Sequence, residues 1–395
     1  MSQEAVEISA MLAFFMNMED ARRDRSRHPR SGAEFIFRID DTGNAVLTRF
    51  RGDLADAELP GAYQGRPVTE IAPYAFASCT TLRTLRLPRS LRRIGEGAFG
   101  GCTALEAVNI PEGVELIGAQ CFAECEALRE IWLPDGLREI PAGAFRGCLS
   151  LSSLRLPESC GRVGWQAFSE CTSLQEADVP RGVTAVEDMA FFNCTSLRRV
   201  SLPDSLRRID GSAFSSCRAL QQLRIPEGVT TFGAQAFFCC VSLREVSLPA
   251  SLTEVEENPF GNCPALERVE VAEGNPALYM NGQMLMNART QTLLTYLCGS
   301  PAQFAIVPER TRRISDHAFT GCVSLRQITL PEGLTAIDNG AFSACASLRS
   351  VNLPGSLQEM GADLFSGCPM VKVQAPQGSE AEKYIRRRRT VLQED

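Results

Sequence analysis

Lysine and histidine are nearly absent from this 395-residue sequence. Lysine occurs only at Lys372 and Lys383 and histidine only at His28 and His317, so arginine supplies nearly all of the positive charge. The formal net charge of −7 provides no general attraction to nucleic acid. No stretch of the sequence approaches the ~20 apolar residues of a transmembrane helix. We therefore expect neither a nucleic-acid partner nor a membrane span.

Enzyme and metal motifs are missing as well. The sequence has no G-x-S-x-G nucleophile elbow, no glycine-rich phosphate loop and no H-E-x-x-H zinc motif. A zinc site needs ligands that converge on one point, and neither Cys121 with Cys125 nor Cys239 with Cys240 has a second pair to complete it. His317 is expected to be an exposed spacer. We predict a protein that is not an enzyme and has no cofactor and no metal.

A single unit that is copied every 23 residues occupies most of the chain. A fixed period in this range is typical of a solenoid, in which each repeat buries its apolar side against its neighbours. The period is carried by phenylalanines and resumes after one interruption: Phe76, Phe99, Phe122, Phe145, Phe168, Phe191, Phe214, Phe237, Phe260, then Phe319, Phe342 and Phe365.

The positions around each phenylalanine predict the local structure of the repeat. Cysteine lies three residues after the phenylalanine, leucine usually six, and apolar residues nine and eleven. Apolar residues two apart, such as Leu85 and Leu87, indicate a short strand with one buried face. A proline and turn residues such as Glu112-Gly113 then end the strand. The stretch before the next phenylalanine suits a short helical or 3₁₀ corner.

This pattern resembles the BspA-like class of leucine-rich repeat over about residues 60–376. The resemblance implies an α/β fold, a leucine-rich-repeat solenoid that forms a curved right-handed superhelix with a parallel sheet on its concave face. The class is known mainly from bacterial surface and secreted proteins that bind other proteins, often in adhesion. It carries no catalytic motif.

Departures from the repeat divide the chain into four segments. Residues 1–31 are predicted to be an amphipathic helical and basic segment, and residues 32–70 an N-terminal hairpin cap. The solenoid is expected over 71–376 with an insertion at about 274–307, and a C-terminal capping helix over 377–395.

Strand alternation around turns predicts both the cap and the insertion. Phe35, Phe37 and Ile39 precede an Asp-Thr-Gly-Asn turn, and the alternating residues Val46, Thr48 and Phe50 follow it. In the insertion, residues 278–286 contain an Asn-Gly turn, and residues 292–296 form a further strand after it. If its methionines and tyrosines are exposed, the insertion offers an adaptable contact surface.

The first 31 residues allow two interpretations. An apolar stripe that includes Met11, Leu12 and Phe15 precedes a basic run, which is the reverse of a signal peptide. One interpretation is an amphipathic helix that packs on the solenoid or on a second copy, giving a homodimer; the other is binding to a membrane surface. The missing signal-peptide pattern favours a cytoplasmic location, whereas the resemblance implies a surface or secreted one.

Twelve of the sixteen cysteines occupy one position of the repeat. Neighbouring strands lie ~4.8 Å apart, which is within the Cα separation that a disulfide spans. However, side chains at one repeat position point in parallel, so a bridge would twist the ladder. We predict that these cysteines are buried free thiols that pack as small hydrophobic groups: Cys79, Cys102, Cys125, Cys148, Cys171, Cys194, Cys217, Cys240, Cys263, Cys322, Cys345 and Cys368.

The C-terminal segment combines a capping box with a basic run. Ser379 and Glu382 have the spacing of a capping box, and Arg386 to Arg389 follow in the last turns, where positive charge suits the helix dipole. A nucleic-acid or localisation patch is the alternative interpretation of the arginines.

Outward-facing strand residues form the candidate binding surface. Residues seven, eight and ten after each phenylalanine should point outward from the concave face, and their mixed charges suit a protein or glycan better than a nucleic-acid backbone. Trp132 is the predicted anchor because tryptophan is enriched among binding hot spots. The candidate site residues are Trp132, Arg86, Arg129, Arg155, Asp178, Arg199 and Arg224.

Two functions are compatible with these observations. The first is a noncatalytic scaffold for protein–protein interaction that binds a macromolecular partner on the concave sheet near Trp132. The second is a cell-surface or secreted adhesin that binds host protein or glycan, which requires an export route that the N-terminus does not display.

Overall fold

A computed structural model describes residues 34–391 of the chain. These residues belong to two compact units, one that ends at Leu197 and one that begins at Arg198. Segment 1–31, with the helix, homodimer and membrane-surface predictions made for it, lies outside the described residues.

The described part of the first unit is built from short strands. They are β1 (Glu34–Ile39), β2 (Ala45–Arg51), β3 (Asp56–Glu58), β4 (Ala62–Tyr63), β5 (Arg66–Ile71), β6 (Thr84–Arg86), β7 (Arg93–Ile94), β8 (Ala107–Asn109), β9 (Leu116–Ile117), β10 (Glu130–Trp132), β11 (Glu139–Ile140), β12 (Ser153–Arg155), β13 (Arg162–Val163), β14 (Glu176–Asp178) and β15 (Ala185–Val186).

The second unit continues the repeat and adds the insertion and a helix. Its elements are β16 (Arg199–Ser201), β17 (Arg208–Ile209), β18 (Gln222–Arg224), β19 (Thr231–Phe232), β20 (Glu245–Leu248), β21 (Glu254–Val255), β22 (Arg268–Val271), β23 (Leu278–Asn281), β24 (Met284–Asn287), β25 (Thr292–Tyr296), β26 (Phe304–Ile306), β27 (Arg313–Ile314), β28 (Gln327–Thr329), β29 (Ala336–Ile337), β30 (Ser350–Asn352), β31 (Glu359–Met360), β32 (Lys372–Gln374) and α1 (Glu380–Val391).

Each full repeat contributes one strand of three or four residues and one strand of two residues. We call the parallel ladder of the longer strands the long-strand face: β3, β6, β8, β10, β12 and β14 in the first unit, and β16, β18, β20, β22, β26, β28, β30 and β32 in the second. We call the ladder of two-residue strands the short-strand face. Partners within the ladders are offset by one period, as in Leu85 opposite Val108. The predicted solenoid of 23-residue repeats with parallel sheets is confirmed.

A stack of aromatic rings forms the centre of each unit. Successive phenylalanine rings lie parallel with centroids 5.0–5.5 Å apart from Phe99 to Phe191, and their side chains are fully buried. In the second unit Tyr296 stacks on Phe319 at 5.0 Å, and its amide donates to the Ala318 carbonyl as the repeat phenylalanines do. Tyr296 therefore occupies the phenylalanine position of a further repeat, which lies inside the interruption and which the phenylalanine pattern did not reveal.

The cysteines of the repeat are hydrogen-bond donors. The thiol of Cys148 donates to the carbonyl oxygen of Phe122 in the preceding repeat at 3.2 Å, and the thiol of Cys171 does the same to Phe145 at 3.3 Å. The phenylalanine carbonyl also accepts the amide of the cysteine in its own repeat. A thiol at this position thus satisfies a buried carbonyl and also packs in the core, which explains why cysteine recurs there.

Two of the twelve predicted buried free thiols depart from the prediction. Cys322 forms a disulfide with Cys298, with a Cα–Cα distance of 4.5 Å, so the prediction of a free thiol at Cys322 is wrong. The bridge is possible because Cys298 lies two residues after Tyr296 and Cys322 three after Phe319, so the two side chains do not share one repeat position. Cys79 is a free thiol but is only partly buried, since it lies in the first repeat.

The corners before each phenylalanine are not 3₁₀ helices. Gln120 and Glu124, two residues on either side of Phe122, have left-handed backbone conformations with φ of 55° and 60°. Their amides donate to carbonyls of the next repeat, at Ala142 and Arg146. Alternation of left- and right-handed residues prevents a continuous helix, and the hydrogen bonds between repeats offset the strain of the left-handed residues.

Both ends of the solenoid and the insertion have the predicted local structures. β1 and β2 form an antiparallel hairpin around a turn in which Asp40 accepts amide hydrogen bonds from Thr42 and Asn44. β23, β24 and β25 form an antiparallel sheet, and β25 joins the short-strand face through β27. At the start of α1 the Ser379 hydroxyl accepts the Glu382 amide at 3.1 Å, as a capping box requires.

Candidate binding site

The strands assigned to the concave face in the sequence analysis form the long-strand face. Alternation along each strand buries the middle residue and exposes its neighbours: Ile131 is buried, whereas Trp132 on the same strand is 65% exposed. In the first unit Arg86, Arg155 and Asp178 are exposed at the corresponding outward position. The prediction that these side chains point away from the core therefore agrees with the structure.

Trp132 has Arg155 as its direct neighbour on the adjacent strand. β10 and β12 pair in parallel, with Trp132 opposite Arg155 and Glu130 opposite Ser153. Arg129 precedes β10 and is exposed beside it. Arg155 thus lies opposite Trp132 on the next strand, and Arg129 lies three residues before Trp132 in the chain.

The arginines near Trp132 differ from two other exposed arginines on the long-strand face. Arg83 is bound to Glu106 at 2.6 Å in the first unit, and Arg268 is bound to Glu245 and Glu270 in the second. Within the described residues, Arg86, Arg129 and Arg155 form no ion pair. Their charges remain available to a ligand.

A shallow polar groove of about 450 Å³ continues from Arg129 along this face. It presents hydroxyl and amide groups, which can both donate and accept hydrogen bonds. The groove is lined by Arg129, Ser150, Ser152, Ser173, Gln175 and Ser196. The face of the first unit therefore combines an exposed aromatic ring, positive charge and neutral hydrogen-bonding groups.

The second unit carries the other candidates and two residues that the sequence analysis missed. Arg199 and Arg224 are exposed on the long-strand face of this unit. Phe304 and Ile306 on β26 are 65% and 74% exposed on the same face. They were overlooked because their repeat begins at Tyr296 rather than at a phenylalanine.

The insertion buries most of the methionine and tyrosine side chains that could have formed an exposed contact surface. Met284, Met286 and Tyr296 are buried, whereas Tyr279 is 40% exposed. The buried residues join the core of the second unit. The expected adaptable surface is therefore limited to the outer strand of the insertion.

Cysteine and histidine offer little reactive chemistry in the described residues. Burial raises the pKa of Cys148 and of Cys194 to about 12, so both stay protonated at neutral pH. His317 was expected to be exposed but is half-buried against the Phe238 ring, and this burial lowers the pKa of its imidazole. Residues 34–391 contain no cluster of three metal-ligating side chains and no helix with the length and apolar character of a membrane span.

Comparison with known proteins identifies related repeats. A family model described as a BspA type leucine-rich repeat region matches residues 64–175, 161–280 and 298–384, in six copies. No curated protein matches the chain.

Solved structures with similar folds come from bacteria. A leucine-rich repeat protein from Bacteroides ovatus is 24% identical, with 87% of this chain and 98% of that chain covered and a TM-score of 0.52. A leucine rich cell surface protein from Faecalibacterium prausnitzii is 21% identical, with 91% and 97% covered and a TM-score of 0.56. These two likenesses support the leucine-rich-repeat fold.

Proposed function

Because the chain belongs to the BspA-type leucine-rich repeat family, we propose that it is a noncatalytic scaffold that binds a protein partner on the long-strand face of the first unit. Repeats of this type are scaffolds rather than enzymes and are typical of protein-interaction or surface proteins. The observation that carries the proposal is the exposed Trp132 with unpaired arginines beside it.

The chemistry of this surface favours a particular kind of partner. An exposed tryptophan supplies a large apolar contact with few rotamers to fix, and arginine pairs well with carboxylates. Arg86, Arg129 and Arg155 therefore favour a partner segment with acidic residues around an apolar or aromatic side chain. Asp178 lies at the margin of this surface. Arg199 and Arg224 are candidate contacts on the second unit.

The test is affinity capture followed by direct binding. The wild-type protein captures partners from the producing organism, and the double variant Trp132→Ala with Arg155→Glu should lose one specific protein. Binding of that purified protein to the double variant should weaken at least ~30-fold, because loss of a hot spot costs ~2 kcal/mol or more. Phe304→Ala is the matched control, since it removes an equally exposed aromatic ring from the same kind of strand.

The comparison is valid only if the double variant is folded. Both side chains point away from the core, so we expect it to fold, and circular dichroism checks this. Equal binding by the wild-type protein and the folded double variant would place the site elsewhere. A larger loss with Phe304→Ala would assign it to the second unit.

An adhesin that binds glycan is the second candidate function. The groove beside Arg129 favours it, because serine hydroxyls and the Gln175 amide suit sugar hydroxyls and the Trp132 ring can stack on a sugar face. Enzymatic removal of glycans from the captured material separates the candidates. Binding that survives deglycosylation supports the protein partner, and binding that is lost supports the adhesin.

A further inference from the structure

A second groove lies in the second unit, between the short-strand face and the insertion. Its volume of about 470 Å³ falls within the ~300–1,000 Å³ range of small-ligand sites. Four carboxylates line it: Glu256 and Glu257 after β21, Asp316 after β27 and Asp338 after β29. The insertion supplies the other wall.

The negative charge of the groove exceeds the positive charge that faces it. Arg313 is the single cationic side chain among the lining residues, and it is already bound by Asp338 and by Glu359 at the groove margin. Asp316 accepts hydrogen bonds only from the amide and side chain of Asn339. Glu257 has no hydrogen-bond or ion-pair partner within the described residues.

A hydroxyl in the groove also lacks a partner in the protein. The Ser315 residue is 3% exposed and lines the groove, and its Oγ atom makes no hydrogen bond within the described residues. This oxygen is therefore available to accept a hydrogen bond from a ligand in the groove.

Polar residues replace glycine at one position of the repeat in the groove. Four residues before the phenylalanine, other repeats have Gly118 or Gly233, where a Cβ atom would lie 2.3–2.4 Å from a backbone nitrogen of the neighbouring repeat. In the groove this position holds Glu256, Thr292, Ser315 and Asp338, and all four line it. Glu187 and Asp210 hold the same position in repeats away from the groove.

Ionised carboxylates in this groove oppose stability. Burial raises the pKa of Glu257, and so do the neighbouring charges of Asp316, Asp338 and Glu256. Burial also raises the pKa of Asp338, against the effect of Arg313. Groups held at such a cost are typical of functional sites.

We propose that this groove binds an organic cation, a guanidinium or ammonium group of the kind carried by an arginine or lysine side chain or by a polyamine. Glu257 and Asp316 would pair with the charge, and Ser315 would accept a hydrogen bond. A bare metal ion is a poorer fit because no three ligands of the described residues converge on one point. The site is independent of the Trp132 surface, which lies in the first unit.

Calorimetric titration with small probes tests the proposal. N-acetyl-arginine amide should bind at least tenfold more tightly than N-acetyl-citrulline amide, which has nearly the same shape and no charge. Spermidine forms the second arm: tighter binding of spermidine assigns the site to free polyamines, and tighter binding of the arginine amide assigns it to a partner's side chain. Equal binding of arginine and citrulline amides, or binding of neither cation, overturns the proposal.

Variants locate the binding within the protein. Glu257→Gln with Asp316→Asn should weaken cation binding at least tenfold. Glu309→Gln with Glu332→Gln, which removes the same charge from exposed turns, should leave it unchanged. Glu257→Gln alone should weaken binding measurably and tests the site even if the double variant is unstable, because Glu257 has no partner in the fold. If the double variant in the groove and the double variant in the exposed turns weaken cation binding equally, the proposal is overturned.

Discussion

Most cysteines of the repeat have two physical roles, as a small core group and as a donor to a phenylalanine carbonyl. Serine could also donate, but its hydroxyl prefers water more strongly than a thiol does. Alanine would leave the carbonyl with one partner fewer. The raised pKa of thiols such as Cys148 follows from burial and keeps them in the donating form.

Alkylation of the native protein should therefore be selective. Among the described free cysteines, only Cys79 and Cys239 are partly exposed, so they should react with iodoacetamide before denaturation. Cys298 and Cys322 should react only after both denaturation and reduction. Peptide mass spectrometry checks each position. Native labelling of Cys148 or Cys171 would show that the repeat position is not core.

Glu257→Gln should stabilise the protein at neutral pH. Because the pKa of Glu257 is raised on folding, the folded state binds the proton more tightly than the unfolded state does. The stability that the protonated Glu257 side chain contributes is thus fully present below its pKa in the unfolded state. This stability is lost as pH rises through its pKa in the folded state. We expect a rise in Tm of about 1 °C at pH 7 and none at pH 3. Glu309→Gln is the control, and a lower Tm of Glu257→Gln at pH 7 would contradict this reasoning.

At the scale of the element, the aromatic stack couples each repeat to the next. Phe191 is fully buried and stacks on Phe168 with centroids 5.3 Å apart. Phe191→Ala should lower the free energy of unfolding by ~3–5 kcal/mol, because neighbouring repeats cannot close the cavity. Urea denaturation measures the change. A loss below ~1 kcal/mol would mean that this position does not hold the core.

The exposed ring of Phe304 provides the control for this measurement. Phe304→Ala removes the same side chain from a surface strand and should change the free energy of unfolding by less than ~0.5 kcal/mol. The comparison separates burial from the loss of an aromatic ring as such.

The insertion shows how tyrosine in place of phenylalanine can hide a repeat in the sequence. Its strands could be predicted from alternation and from the Asn-Gly turn, because both signals are local. The repeat at Tyr296 was missed because tyrosine replaced phenylalanine, although Pro308 follows at the expected distance of twelve residues. The sequence indicates that the solenoid restarts through Phe304, Ile306 and Pro308, but without the repeat at Tyr296 the exposure of Phe304 and Ile306 and the Cys298–Cys322 disulfide could not be predicted.

For the whole molecule, periodicity made the fold predictable and left the binding sites largely undetermined. Repeated positions fix which residues face the core, so the exposure of Trp132 and Arg155 could be predicted. The groove at Glu257 and Asp316 could not, because it exists only where the insertion lies beside the short-strand face. Sequence position alone gives no distance between an insertion and the ladder beside it.

Residues that bond between neighbouring repeats are separated by a nearly constant number of positions in the sequence, and this separation affects the kinetics of folding. Most hydrogen bonds and ion pairs between repeats join residues 22 to 26 positions apart, as in Cys102 with Phe76 and Arg83 with Glu106. Low contact order favours rapid folding, so each repeat can dock soon after the next has left the ribosome. Asn258 is an exception, because its side chain binds the Asp316 carbonyl 58 residues later. We therefore expect the segment between them to become ordered only after Asp316 has left the ribosome.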